Sequence, residues 1–308
     1  MTDRNIKARL TDVKFLHQDI VGDLVHLCYF DVLGFSSKVK ELGLDKMYDI
    51  YEQLIDLVKR YTADYGYMDN TRDVREDNNL NAHAFIGDSS FWALADVHSI
   101  YASDSILLWT PYYYKTSTIF LDTCMDIFCN AIKMEMPLRG CIGYGHARFD
   151  KEKSIYLGEP LIDCVRGESI QNWLGISFSS NTVLDSKGSD PREGYKYTNL
   201  KQIYPTFNWQ VKDNYKKGEP ELSELAFNNW ESYWHENYLG DVLLAPFALD
   251  WPRYWRENNF GDINMDINRM NKDPVMSFYY QNALDYFKYT IKNSNWYEAP
   301  VWKAFWGL

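Results

Sequence analysis

The segment Phe30-Asp31-Val32-Leu33-Gly34-Phe35-Ser36 sets a carboxylate at the end of an apolar run, with a glycine close behind it. A carboxylate in that position is costly unless it is paired or holds a cation. The glycine lets a ligand approach the backbone closely, and a helix beginning there offers free N–H groups to an anion such as a triphosphate. Asp31 and a second carboxylate from a neighbouring hairpin would hold Mg²⁺ or Mn²⁺, hard cations that take oxygen ligands. Capping the helix that starts near Gly34 is the competing role for Asp31. Two turns offer the second carboxylate: Ser103-Asp104-Ser105, inside the better hairpin pattern, and Gly87-Asp88. Asp104 is favoured, and Asp88 is otherwise a turn residue.

The elements that must position these groups follow from hydrophobic spacing. Leu24 to Phe30 reads as a strand running into a turn at Val32-Leu33-Gly34-Phe35. Ser36 and Ser37 are placed to cap a helix from Lys38 to Tyr61 that Gly43 interrupts. A polar, acidic loop follows from Tyr65 to Asn81, then apolar Ala84 to Ile86, then a hairpin across Ile100 to Trp109. The spacing predicts a helix over Thr116 to Met134, a strand from Leu138 to Gly145, a helix over Pro160 to Asn172 and a short strand at Ile176 to Phe178. The order β-α-β-β-α-β is the ferredoxin-like arrangement, an α+β fold with helices on one sheet face. It occupies residues 20–200.

Residues 201–308 form an extension of different character, holding eight of the eleven Trp. Met276, Tyr280, Ala283, Leu284, Phe287 and Ile291 mark one more helix there. Its aromatic residues suit packing onto the preceding domain or onto a partner chain. Asp262-x-Asn264-x-Asp266-x-Asn268 has a faint calcium-loop spacing, but Ile267 stands where the loop's glycine belongs, so it reads as a polar loop.

Composition narrows the function. The chain has 308 residues with 32 Lys+Arg against 43 Asp+Glu, a net charge of −11. That excludes a broad basic surface for nucleic acid or anionic membrane. The five cysteines are odd in number and contain no CxxC pair, which argues against a disulfide framework or zinc knuckle and for a reducing, cytoplasmic location. No apolar stretch is long enough to span a membrane. Nor does any serine-hydrolase, P-loop or dinucleotide-binding signature appear.

The segment at Asp31 resembles the first metal motif of class III nucleotidyl cyclases, FxDxxGF followed by Thr or Ser. Tyr101 to Ser105 is similar to their second metal turn. Pro137 to Gly145 resembles their strand RxGIHxG at Arg139, Ile142 and Gly145, and Leu157 to Glu168 resembles GDxVNxAxRxE at Gly158, Arg166 and Glu168. The order of the four segments is that of the family. Three family positions differ. Ile162 replaces the ribose-positioning Asn, Ile100 the base-reading Lys, and Gly143 the His of GIHxG. A site without those groups does not read a purine in the usual way.

The Ser-Asp-Ser turn and the C-terminal extension make the chain more similar to the pyrimidine cyclases of bacterial Pycsar anti-phage systems. That resemblance implies conversion of UTP, or next CTP, into the 3′,5′-cyclic nucleotide, which a separate effector receives. The alternatives are a purine cyclase and a degenerate cyclase fold that binds a nucleotide or a partner without turnover. It implies a homodimer with active sites at the interface and two Mn²⁺ or Mg²⁺ ions. Asp31, Asp104 and the Val32 carbonyl would hold the metals, while backbone N–H groups of Leu33, Gly34, Phe35 and Ser36 hold phosphates. Arg166 would stabilise charge across the dimer interface. By position, Arg139 suits an ion pair at the start of its strand.

Overall fold

The computed structural model describes residues 21–60, 97–111, 114–150, 153–179, 203–205, 244–292 and 294. Asp88 and the apolar segment around it lie outside these residues, as do Trp209, Trp230, Trp234, Trp296, Trp302 and Trp306.

The first strand, β1 (Val21–Val32), carries its pairing through Asp31 and Val32 before the chain turns. Helices α1 (Phe35–Leu42) and α2 (Leu44–Arg60) follow, separated at Gly43. Strands β2 (His98–Ala102) and β3 (Ser105–Pro111) form the hairpin. Next come α3 (Tyr114–Lys133), β4 (Leu138–Asp150), β5 (Ile155–Gly158), α4 (Glu159–Ser169) and β6 (Ile176–Ser179). The later residues add β7 (Ile203–Pro205), β8 (Leu244–Leu249), α5 (Trp251–Glu257), α6 (Ile263–Met270) and α7 (Ser277–Lys292).

Strands β2-β3-β1-β4 lie side by side and antiparallel, the order a ferredoxin-like α+β fold requires. The sheet continues through β6, parallel to β4, to β8 and β7, while β5 folds back on β4. Because side chains alternate along a strand, β1 divides its work between two faces. His26 stacks on Phe120 of α3, with ring centroids 6.2 Å apart, so His26, Cys28 and Phe30 face that helix. Tyr29 and Asp31 face α4 with their register partners Cys141 and Arg139.

Close approach of α4 fixes one departure from the family pattern. A Cβ on Gly143 would lie 2.7 Å from the Cys164 sulfur and 3.0 Å from the Pro160 carbonyl oxygen. No side chain fits where the resemblance calls for histidine. The five cysteines are buried and unpaired; burial raises the Cys28 and Cys164 thiols well above the usual range.

Two local expectations are corrected. Ser36 and Ser37 lie inside α1 and do not cap it; Gly34 is the N-cap and provides no side-chain bond. The stretch from Asp262 is a helix start, not a polar loop. The Asp262 carboxylate accepts the Asn264 N–H at 2.9 Å, and Ile263, Ile267 and Met270 bury one helical face. That apolar spacing was visible beneath the acidic residues. Asp266 is fully buried between Lys133, at 2.8 Å, and Arg269.

Trp251 and Trp255 pack into the core, Trp251 against Phe128 at 5.2 Å and Phe287 at 5.7 Å between centroids. Asp250 caps their helix by accepting the Arg253 N–H at 3.1 Å. Burial pushes Asp250 up to about 7, against the opposing pull of Arg253. A carboxyl raised in the folded state binds its proton more tightly there than in the unfolded chain. Its contribution is therefore fully present below about pH 4 and lost as pH rises to about 7. Asp250→Asn keeps a capping oxygen and removes the titration. It should stabilise the protein at pH 8 by on the order of 1 kcal/mol and flatten that part of the pH profile, as read by urea denaturation.

Candidate active site

Strand register brings the sequence-predicted carboxylates together. Asp31 stands opposite Ser105 across the β1–β3 ladder, and the Val32 N–H donates to the Asp104 carbonyl at 2.9 Å. Ser103 takes a left-handed φ of 55° to close the two-residue turn between β2 and β3. The Tyr29 hydroxyl and the Ser105 hydroxyl, 2.7 Å apart, fix the turn from below. Burial raises the Asp31 carboxyl above its usual value; Arg139 opposes this, and the charge of Asp104 adds to it. The Asp104 charge thus reaches the Asp31 carboxyl at this end of the strands.

Arg139 is the group the sequence reading underused. Its guanidinium donates to the Asp31 carboxylate at 3.2 Å and to the Gln171 carbonyl at 3.2 Å, and it pairs with the Glu168 carboxylate. The three side chains are largely shielded, with Arg139 12% and Glu168 8% exposed. Charges this poorly solvated persist because each is matched by an opposite charge, although Arg139 Nε is buried without a hydrogen-bond partner. The ion pair expected for Arg139 is therefore present, with Asp31 itself as one partner.

Gly34 adopts the left-handed conformation at φ 71° that turns the chain from β1 into α1. The opening N–H groups of α1 have no side-chain cap and, as in any helix, no intrahelical acceptor. Leu33 differs from expectation, because its N–H already donates to the Pro137 carbonyl at 2.8 Å. That leaves the N–H groups of Gly34, Phe35 and Ser36 at the uncapped end of α1. Arg166 is exposed in the last turn of α4, two residues before Glu168. Among the described residues it forms no ion pair with a carboxylate of its own chain.

Two contributions had no sequence signal as site residues. The Tyr51 hydroxyl, on the core face of α2, is buried without a hydrogen-bond partner, and burial together with the Asp104 charge raises it to about 12. The C-terminal helix also reaches the site. Arg139 lies over the Tyr279 ring at 5.4 Å, and Met276 would sit 3.6 Å from a Cβ on Gly34. Their distance in sequence hides both contacts.

The donor set fits a hard divalent cation. Asp31 and Asp104 supply like charges whose repulsion a cation relieves, and the orphaned Tyr51 hydroxyl marks an incomplete polar environment beside Asp104. Among the described residues no cluster of three or more His, Cys, Asp or Glu forms a full metal cage. Two carboxylates with water completing the shell is how Mg²⁺ is commonly held. Among the described residues no helix is long and apolar enough to cross a membrane.

No family model and no curated protein matches the chain. Solved structures similar to it include the catalytic core of a rhodopsin-guanylyl cyclase with converted specificity in complex with ATPαS. That likeness has 13% identity and a TM-score of 0.37, covering 62% of this chain and 90% of that one. A bacterial light-regulated adenylyl cyclase gives 11% identity and a TM-score of 0.40, covering 66% of this chain and 60% of that one. At these scores the likenesses add nothing to what the chain's own strands and side chains establish.

Proposed function

We propose that this chain is a metal-dependent nucleotidyl cyclase acting on a pyrimidine triphosphate, UTP ahead of CTP, with the product serving as a second messenger in anti-phage defence. The observation that carries the proposal is the convergence of Asp31 and Asp104 at one end of strands β1 and β3, beside the uncapped N-terminus of α1. Asp31, Asp104 and the Val32 carbonyl would hold Mn²⁺ or Mg²⁺. The bound ions would supply acidity to the ribose 3′-hydroxyl and neutralise phosphate charge. The N–H groups of Gly34, Phe35 and Ser36 orient the phosphate chain toward those carboxylates. Arg139 holds Asp31 in place and offsets part of its charge before substrate arrives.

Pyrimidine selection is supported by the three positions at which the chain departs from the purine cyclases, only one of them, Ile100, at the base-reading site. Ile100 is partly buried in β2, Ile162 is 52% exposed on α4, and Gly143 has no room for a side chain. None of them hydrogen-bonds a purine edge. A homodimer is supported by the exposed apolar residues around Arg166, namely Leu157 at 61%, Ile162 at 52% and Val165 at 41% exposure. In that arrangement Arg166 serves the partner's site.

Incubation with each of the four nucleoside triphosphates and Mn²⁺, with products resolved by chromatography, tests the proposal. Cyclic UMP or cyclic CMP is the expected product. Conversion of ATP or GTP alone replaces the pyrimidine assignment, and no turnover of any triphosphate overturns the enzymatic one. In the same assay Asp104→Ala should lower turnover by about 10²-fold or more while Asp88→Ala leaves it within a few-fold. The reverse pattern would transfer the second metal position to Asp88.

A further inference from the structure

The acidic chain contains one strongly cationic hollow. A cavity of about 310 Å³ is lined by Lys38 of α1, Lys46 of α2, Lys133 of α3, Arg269 of α6 and Lys272 just beyond it. Five cations converge from separate elements of a protein whose net charge is −11. Three carboxylates face them. Asp266, buried at the cavity edge, takes Lys133 and Arg269, and Glu41 approaches Lys272 at 3.9 Å. Glu135, in the lining, has a left-handed φ of 56° at the end of α3.

Among the described residues Lys38 and Lys46 form no ion pair. Burial, with Lys272 adding to it, holds Lys38 below the usual lysine range, against the pull of Glu135 and Glu41. An ammonium that loses water for carboxylates beyond ion-pair distance is poorly compensated. An anion entering the cavity supplies a closer partner.

We propose that this cavity is a binding site for a polyphosphate anion, separate from the Asp31–Asp104 site. Its lining includes neither aspartate. Cations set around several walls suit a chain of linked phosphates better than one carboxylate, and lysines act on phosphate as movable point charges. The volume lies at the small end of ligand cavities, enough for a di- or triphosphate group. Two contacts place it behind the Gly34 loop. The Lys38 N–H donates to the Gly34 carbonyl at 3.0 Å, and Met136 of the lining precedes Pro137, which accepts the Leu33 N–H. The site stands whether or not the chain is a cyclase.

Calorimetric titration of the full chain with inorganic tripolyphosphate in EDTA, which removes metal-dependent binding at the aspartates, tests this site. Saturable binding is expected. The exposed pair Lys46→Glu with Lys272→Glu should weaken it at least tenfold with an unchanged melting temperature, and Asp31→Asn should leave it unchanged. Absence of saturable heat overturns the proposal. So does retained affinity in the double variant, or loss in Asp31→Asn alone. The same titration with UTP and ATP identifies the source of the phosphates. A nucleoside triphosphate binding more tightly than tripolyphosphate, and losing that affinity in the double variant, assigns the site to nucleotides. Equal affinities assign it to the phosphate chain itself.

Discussion

Asp31→Asn is expected to abolish cyclic nucleotide formation, by about 10³-fold or more in turnover, while the protein stays folded. The two effects separate because of how Asp31 is held. The proposed metal-binding role depends on full negative charge, which the amide lacks. Its structural role is to accept from Arg139 at 3.2 Å, and an amide oxygen still accepts there. Arg139 meanwhile keeps Glu168 and the Gln171 carbonyl. The loss of stability should stay within about 1 kcal/mol. Product chromatography and urea denaturation on the same preparation measure both. Turnover within tenfold of the parent protein would remove Asp31 from the metal site. A collapse of the fold would instead make it chiefly a structural partner of Arg139.

The largest effect on stability is expected at Arg139. Arg139→Met retains much of the side-chain volume but strips the counter-charge from two carboxylates, one of them only 8% exposed. Breaking a buried pair by removing one partner leaves an uncompensated charge and costs about 3 kcal/mol. It also frees the strut that joins β4 to β1, to α4 and to the Tyr279 ring. The pH dependence gives the sign. Burial already raises Asp31 in the folded state, and Arg139 is what opposes the rise. Without that guanidinium the folded Asp31 carboxyl rises further, so the folded protein binds its proton more tightly than the unfolded chain. Stability is then lost as pH increases through the raised value. Urea denaturation should show a smaller deficit at pH 5 than at pH 8. A deficit below about 1 kcal/mol, or one independent of pH, would mean that Arg139 contributes little beyond packing.

The local features near Asp31 were legible because they depend on short-range spacing. The apolar run ending at Asp31, the glycine turn, the break at Gly43 and the hairpin at Ser103-Asp104 each appear where hydrophobic period and turn chemistry put them. The β-α-β-β-α-β order, and with it the ferredoxin-like arrangement, follows from the same periods. Where competing local signals overlapped, the pattern misled. The polar residues of 262–268 concealed an apolar face that Ile263, Ile267 and Met270 bury as a helix. Ser36 and Ser37 had the right chemistry for a cap, but Gly34 alone takes the positive φ that ends the turn.

By itself, then, the sequence determined the elements of residues 24–178, the acidic balance and the two aspartates suited to a cation, because residue type and nearest neighbours set those. Strands β7 and β8 and helices α5 and α6 were not among them. Tertiary structure decided which distant charges meet. The β1–β4 register puts Arg139 opposite Asp31, and α4 packs close enough to bring in Glu168 and to exclude any side chain at Gly143. It also carried Tyr279 and Met276 across more than a hundred residues of chain to the site, and gathered five lysines and arginines into one cavity. Long-range Coulomb pairing and close packing have no periodic trace in sequence. They exist only once the sheet fixes which strand edges and helix faces are neighbours.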